Sequence, residues 1–177
     1  PSLNYDDSYP PAHFEGNKVS QRAFFRIAWR MMGAYTGFRT LYPTIITPGS
    51  AHVNAVESGG YPEIQKLSTL TTAMSSMSSI LVDFLVRSRG GGNLFASTIQ
   101  SLPYSPESLI VSRANSRTLE LVCLTSAYAP LWKEVTGTEW TPDVPLRKAE
   151  ERRQAQVEID ALVALSLGVT ADELCMI

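Results

Sequence analysis

Six apolar side chains, Leu67, Leu70, Met74, Met77, Leu81 and Leu85, recur at steps of three and four. That spacing is one stripe of an α-helix. It predicts a single long helix from Pro62, closed by Gly90-Gly91-Gly92, because glycine accepts a left-handed cap. Arg87 and Arg89 fall in its last turn, where they complement the helix dipole. Ser and Thr fill the positions between the stripe. They are weak helix formers, but their small volume lets another element approach closely. The stripe needs a partner surface, and the segment before it has a different period.

Ala23, Phe25, Ile27, Trp29 and Met31 alternate with Arg22, Phe24, Arg26, Ala28 and Arg30. Period-two alternation rich in aromatics predicts a β-strand, although a helix would also align the three arginines at i, i+4. Gly33 to Gly37 is a turn. Arg39 to Thr47 is a second strand, closed by Pro48-Gly49. Pro43 cannot donate to a ladder, so this strand is expected at an edge or bulged. Ala51 to Val56 is a short third strand that Ser58-Gly59-Gly60 breaks, and Asn93 to Leu102 is a further strand ending at Pro103.

Beyond it, Ser105-Pro106-Glu107-Ser108 has the pattern of an N-cap with proline at the first helical position. A helix follows through Leu119, Val122, Cys123 and Ser126, with a possible interruption near Asn115, and stops before Pro130. Thr136 to Pro145 is a loop carrying Trp140. Arg147 to Leu167 is a charged helix with Ile159, Leu162, Val163 and Leu167 inward, ended by Gly168. Thr170-Ala171-Asp172-Glu173 is a capping box that starts another helix. The three tryptophans, Trp29, Trp132 and Trp140, are expected in the core or at an interface. The expected fold class is α+β: a small, mainly antiparallel sheet from residues 18–57 and 93–103, with the Ser/Met-rich helix and the C-terminal helices packed around it. Residues 1–17 form a linker or arm, 18–113 a strand-rich part with the long helix, and 114–177 a helical part.

The chain has 177 residues, 44% hydrophobic and 18% charged, which excludes a disordered polyanion. Its formal charge of −2 excludes a wholly basic nucleic-acid binder. The charge is segregated, however. Lys18 to Arg113 holds nine bases against four acids, and the chain from Asn115 onward six bases against ten acids. Such asymmetry suits a local polyanion-binding face, though chance segregation gives the same pattern. No apolar run has the length of a membrane span, and the first residues lack a signal peptide's basic and apolar regions. Cys123 and Cys175 form no CxxC, so reduced thiols in a cytoplasmic protein are expected. The chain opens at Pro1 without Met and stops at Ile177 just after a helix start, so both ends are expected to be cut from a longer polypeptide.

Catalytic motifs are missing. His13 and His52 have no partner at motif spacing, and there is no GxSxG, HExxH, GxGxxG or P-loop. Arg89-Gly90-Gly91-Gly92-Asn93 follows a helix instead of opening one, which fits helix termination better than a phosphate cradle. Ser101-Leu102-Pro103-Tyr104 lacks the Asn and first Pro of the Asn-Pro-Pro-Tyr motif that binds a flipped adenine.

The serial order of the pieces is more specific than any one of them. Arg26-Ile27-Ala28-Trp29-Arg30 precedes a strand ending in Thr47-Pro48-Gly49. The long helix ends Val82-Asp83-Phe84-Leu85-Val86-Arg87. Gly90-Gly91-Gly92-Asn93-Leu94 and Ile99-Gln100-Ser101-Leu102-Pro103 follow. Near the end come Glu151-Arg152-Arg153, Ile159-Asp160-Ala161-Leu162-Val163-Ala164 and Leu167-Gly168-Val169 with Asp172-Glu173-Leu174. Over roughly residues 18–177 this order resembles the C-terminal target-recognition region of type IIG-like and phage-defence adenine-specific DNA methyltransferases. It departs from that family at Met31-Met32, where an Asp often follows the second arginine. It departs again at Asn93-Leu94-Phe95, where an Asn-Phe pair is usual.

The resemblance implies a specificity module of a larger restriction-modification enzyme. Double-stranded DNA and the N-terminal methyltransferase domain of the same chain are its implied partners. The S-adenosylmethionine cofactor is expected in that preceding domain and none in this chain, which by itself is not expected to be catalytic. Holding a duplex takes Lys and Arg on phosphates, and reading it takes Arg, Asn and Gln on base edges. The candidates are Arg22, Arg26 and Arg30 along one strand face, Arg87 and Arg89 beside the glycines, Asn93 and Gln100, and more weakly Arg39 and Lys66. For each the competing role is structural: a solvent coat, a dipole complement or a strand start. The alternative functions are a protein-interaction module of a bacterial defence complex and a small stand-alone enzyme.

Overall fold

A computed structural model of the chain describes residues 11–34, 36–61, 66–104 and 108–177. The fold is α+β, as expected. A hairpin of β1 (Ala12–Phe14) and β2 (Asn17–Val19) turns at Glu15 and Gly16, both at positive φ. It lies partly within the segment that reads as an arm. The described strands include a three-stranded antiparallel sheet of β3 (Arg26–Arg30), β4 (Pro43–Ile46) and β5 (Val56–Gly59), in the order β4-β3-β5. The edge position expected of the Pro43 strand is the one observed. Pro43 pairs with Trp29 at the outer strand.

The arginine-rich strand is shorter than its alternation suggests. Residues Gln21–Ala23 form a 3-10 turn, with Arg22 in it. The third strand starts at Val56, not Ala51. It runs through Ser58 and Gly59, the residues expected to break it. Central β3 supplies the ladder for Gly59, and the Trp29 indole lies 3.8 Å from where a Gly59 Cβ would sit. Ring packing there offsets the missing side chain.

The predicted long helix is two: α1 (Leu67–Ser78) and α2 (Ile80–Arg89), bent by 65°. Ser79 is extended at φ −77°, ψ 150°, and its hydroxyl accepts from Val82 N to cap α2. The same hydroxyl donates to Ser76 O at 2.8 Å. Serine competes with the helix for its own backbone groups, so a Ser-rich seam is where a helix breaks. The start of this helix, Pro62 to Gln65, lies outside the described residues. No single described helix is long and apolar enough to cross a membrane.

The strand expected over Asn93–Leu102 is replaced by one bridge, Asn93 to Met32, and a short helix, α3 (Ala96–Gln100). Leu94 is buried in the core, and its carbonyl accepts the Trp29 indole N–H at 2.7 Å. Met31 N, the donor that a continuing ladder would aim at that carbonyl, goes to Ala55 O at 2.9 Å instead. Helix α4 (Leu109–Val122) is capped by Ser108, while Ser105 to Glu107 lie outside the described residues. Asn115 does not interrupt α4. It is buried, donates to Thr72 Oγ1 at 2.9 Å and accepts from Ser75 at 3.0 Å, so the small residues of α1 do admit a close neighbour. Helix α4 stops before Pro130 as expected but ends at Val122, short of Ser126, and Pro130 stands in the first turn of α5 (Ala129–Thr136), where proline is tolerated. Helix α6 (Ala149–Ser166) packs along α4, and the Thr170–Glu173 capping box starts α7 (Ala171–Leu174).

Ile27, Trp29 and Ile45 of the sheet join Leu70, Met74, Met77, Val82 and Leu94 in one core, with Leu119, Leu131 and Trp132. Trp140 packs against it and donates to Cys123 O at 2.9 Å, so all three tryptophans are core or core-flanking.

Candidate nucleic-acid interface

The nine candidate residues separate into two groups. Five of the six arginines are engaged by the fold, Arg89 among them through Ser101 while staying exposed. Arg26 is 3% exposed and donates to Ser58 Oγ at 3.1 Å and Ser50 O at 2.6 Å, and its Nε is buried without a partner. It braces the 47–50 turn under the sheet and has no path to a duplex. Arg22 holds the same turn through Gly49 O at 3.2 Å. Arg39 pairs with Asp160 on α6 at 3.2 Å. Arg87 donates to Thr40 Oγ1 and Gly37 O, both at 3.1 Å, and lies 3.7 Å from Asp83. The expected face of Arg22, Arg26 and Arg30 is therefore reduced to its last member.

Arg30, Arg89, Asn93 and Gln100 are exposed, and backbone pairing brings Asn93 beside the residues that follow Arg30. Met31 O accepts Leu94 N at 2.6 Å, Met32 bridges Asn93, and Gly33 N donates to Gly92 O at 3.1 Å. The glycine loop is thus stitched to the residues that follow Arg30. Arg89 donates to Ser101 Oγ at 2.6 Å, tying the end of α2 to the residue after Gln100. Lys66 is exposed but stands at the other end of β3, against Phe24, Phe25 and Pro48.

Gly90 and Gly91 have φ of 68° and 112°, and no atom lies within 4 Å of a Cβ built on either or on Gly92. Three side-chain-free residues on open surface let a ligand approach the backbone closely. The sequence favours helix termination at this run. Gly90 does follow the last residue of α2, and the run also forms a bare, cation-flanked loop.

Among the described residues, no group of three His, Cys, Asp or Glu is arranged for a metal. His52 meets Ser58 Oγ at 2.8 Å and Val53 O at 3.3 Å. Cys123 is fully buried, and burial pushes its thiol up to about 12, far from a reactive thiolate. Arg117 holds Glu120 and Glu158 on the α4–α6 face, and these hydrogen bonds raise its own pKa. A cavity of about 330 Å³ lies between β5, α1 and α3, lined by Trp29, Tyr61, Met77, Gln100 and Tyr104. Its lining is scattered over the chain, so no local motif announces it. The chain matches no family model, no curated protein and no solved structure.

Proposed function

We propose that this chain is the DNA target-recognition module of a larger S-adenosylmethionine-dependent N6-adenine DNA methyltransferase or restriction-modification enzyme of the bacterial cytoplasm. A preceding domain of the same polypeptide carries the cofactor and the methyl-transfer chemistry. The observation that supports it most is the bare Gly90–Gly92 loop, flanked by Arg89 and Asn93 and stitched beside Arg30. Arginines beside a backbone without side chains suit phosphates, and Asn93 and Gln100 carry the side-chain amides that read adenine edges. The neutral overall charge then reflects few phosphate contacts and a modest salt dependence.

The test is DNA binding and methylation by the polypeptide that carries this chain, with Arg30→Ala, Arg89→Ala and Asn93→Ala. Each phosphate-contacting arginine removed should lower the slope of log K against log salt by about one. Loss of Asn93 should relax target choice. Unchanged binding and methylation in the triple variant overturn the reading in favour of a protein-docking role.

A further inference from the structure

Phe38 is the most exposed aromatic ring among the described residues, at 83%. Its backbone is nevertheless tightly held. Asp83 Oδ1 accepts both Thr40 N and Leu41 N at 2.7 Å. Arg87 holds Gly37 O and Thr40 Oγ1, and Arg39 N donates to the Tyr42 hydroxyl at 3.1 Å. Arg39 reaches Asp160 while its guanidinium carbon stays 6.0 Å from the Phe38 ring centre. Six polar contacts thus fix the residues on both sides of a ring that meets mostly water. A loop free to move would fold such a ring onto apolar surface. A braced loop presents it.

The surroundings select its partner. Glu57 is the single acidic residue from Met31 to Tyr61. Both carboxylates at the root of the loop, buried Asp83 and half-buried Asp160, are spent on Arg87, Arg39 and backbone amides, as those arginines are spent on them. The loop also shares its root with the glycine run: Gly33 donates to Gly92 O, and a Cβ on Gly33 would meet both Thr40 and Leu94. An exposed ring on a braced loop, and continuity with the proposed DNA-facing loop, fit a wedge entering a base-pair step. Apolar wedges of this kind unstack a step and bend the duplex.

We propose that Phe38 is an intercalating wedge that stacks on a base of the bound duplex and unstacks one step of the target. This rests on the DNA-recognition reading above. The experiment uses the full polypeptide and a duplex bearing the methylated sequence mapped in DNA from cells that express it, with 2-aminopurine placed in turn at each step. Wild-type protein should raise fluorescence at one step other than the flipped target adenine. Phe38→Ala should abolish that rise and weaken binding about tenfold, the worth of one aromatic–base stack. Phe38→Trp should restore both. Because the ring is exposed, all three proteins should share one unfolding midpoint. If the wild type binds DNA and Phe38→Ala binds equally, the wedge is overturned and the reader stands. If binding weakens with no such fluorescent step in the wild type, the ring touches something other than a base, and the wedge is again overturned. If the wild type binds no DNA, the reader assignment itself fails.

Discussion

Asp160 Oδ1 accepts the backbone amide of Ile80 at 2.7 Å, at the bend where α1 gives way to α2. The same side chain takes Arg39 from the loop before β4, and Gln156, one turn earlier on α6, donates to Ser78 O at 2.8 Å. Two residues of a helix far along the chain therefore satisfy the backbone groups that breaking the long helix sets free.

Asp160→Ala should destabilise the fold by about 3 kcal/mol, because it leaves a largely buried guanidinium and a helix-start amide without their acceptor. Asp160→Asn keeps an acceptor for Ile80 N and should lose less. Urea unfolding of the two variants measures the difference. Equal losses would mean that the Ile80 contact contributes nothing.

The two cysteines should differ sharply toward thiol reagents. Cys175 is exposed, whereas Cys123 is buried with its thiol pushed up to about 12. Native protein should react quickly with one equivalent of a disulfide reagent, and the second should follow only on unfolding. Two fast equivalents in native protein would contradict the packing of Cys123 beneath Trp140.

Acid should weaken the α4–α6 contact. The Gln154 amide, and then Arg117, hold the Glu158 carboxyl below its ordinary value of 4.5. A carboxyl depressed in the folded state contributes stability that is fully present above its unfolded pKa and is lost as pH falls through the folded one. Glu158→Gln should therefore flatten the acid limb of a stability–pH curve below about pH 4.5 by lowering neutral stability and leaving acid stability unchanged, and both effects should be small, since the pair is solvent-exposed. An unaltered acid limb would show that other carboxylates set it.

Much of the local structure was legible in the residues themselves. The Pro43 edge strand, the helix over 149–166, its end before Gly168 and the Thr170 capping box all follow from short-range rules. The errors cluster where distant partners intervene. Ser79 breaks a continuous apolar stripe because Asp160 and Gln156 cap the broken ends. Gly59 stays in a strand because Trp29 packs beside it. The ladder stops at Leu94 because Met31 N, the donor that would meet its carbonyl, goes to Ala55 O.

The same division runs through the candidate site. A list of cations is a property of the sequence, and so is the glycine run that ends α2. Their accessibility is not. Arg26 and Arg30 share a strand face four residues apart, yet the 47–50 turn covers one and leaves the other in water. Periodicity determined which residues make helices and strands, because those choices depend on neighbours in the chain. Burial decided which arginines brace the fold and which remain free to meet a ligand, because desolvating a guanidinium depends on what packs over it from elsewhere.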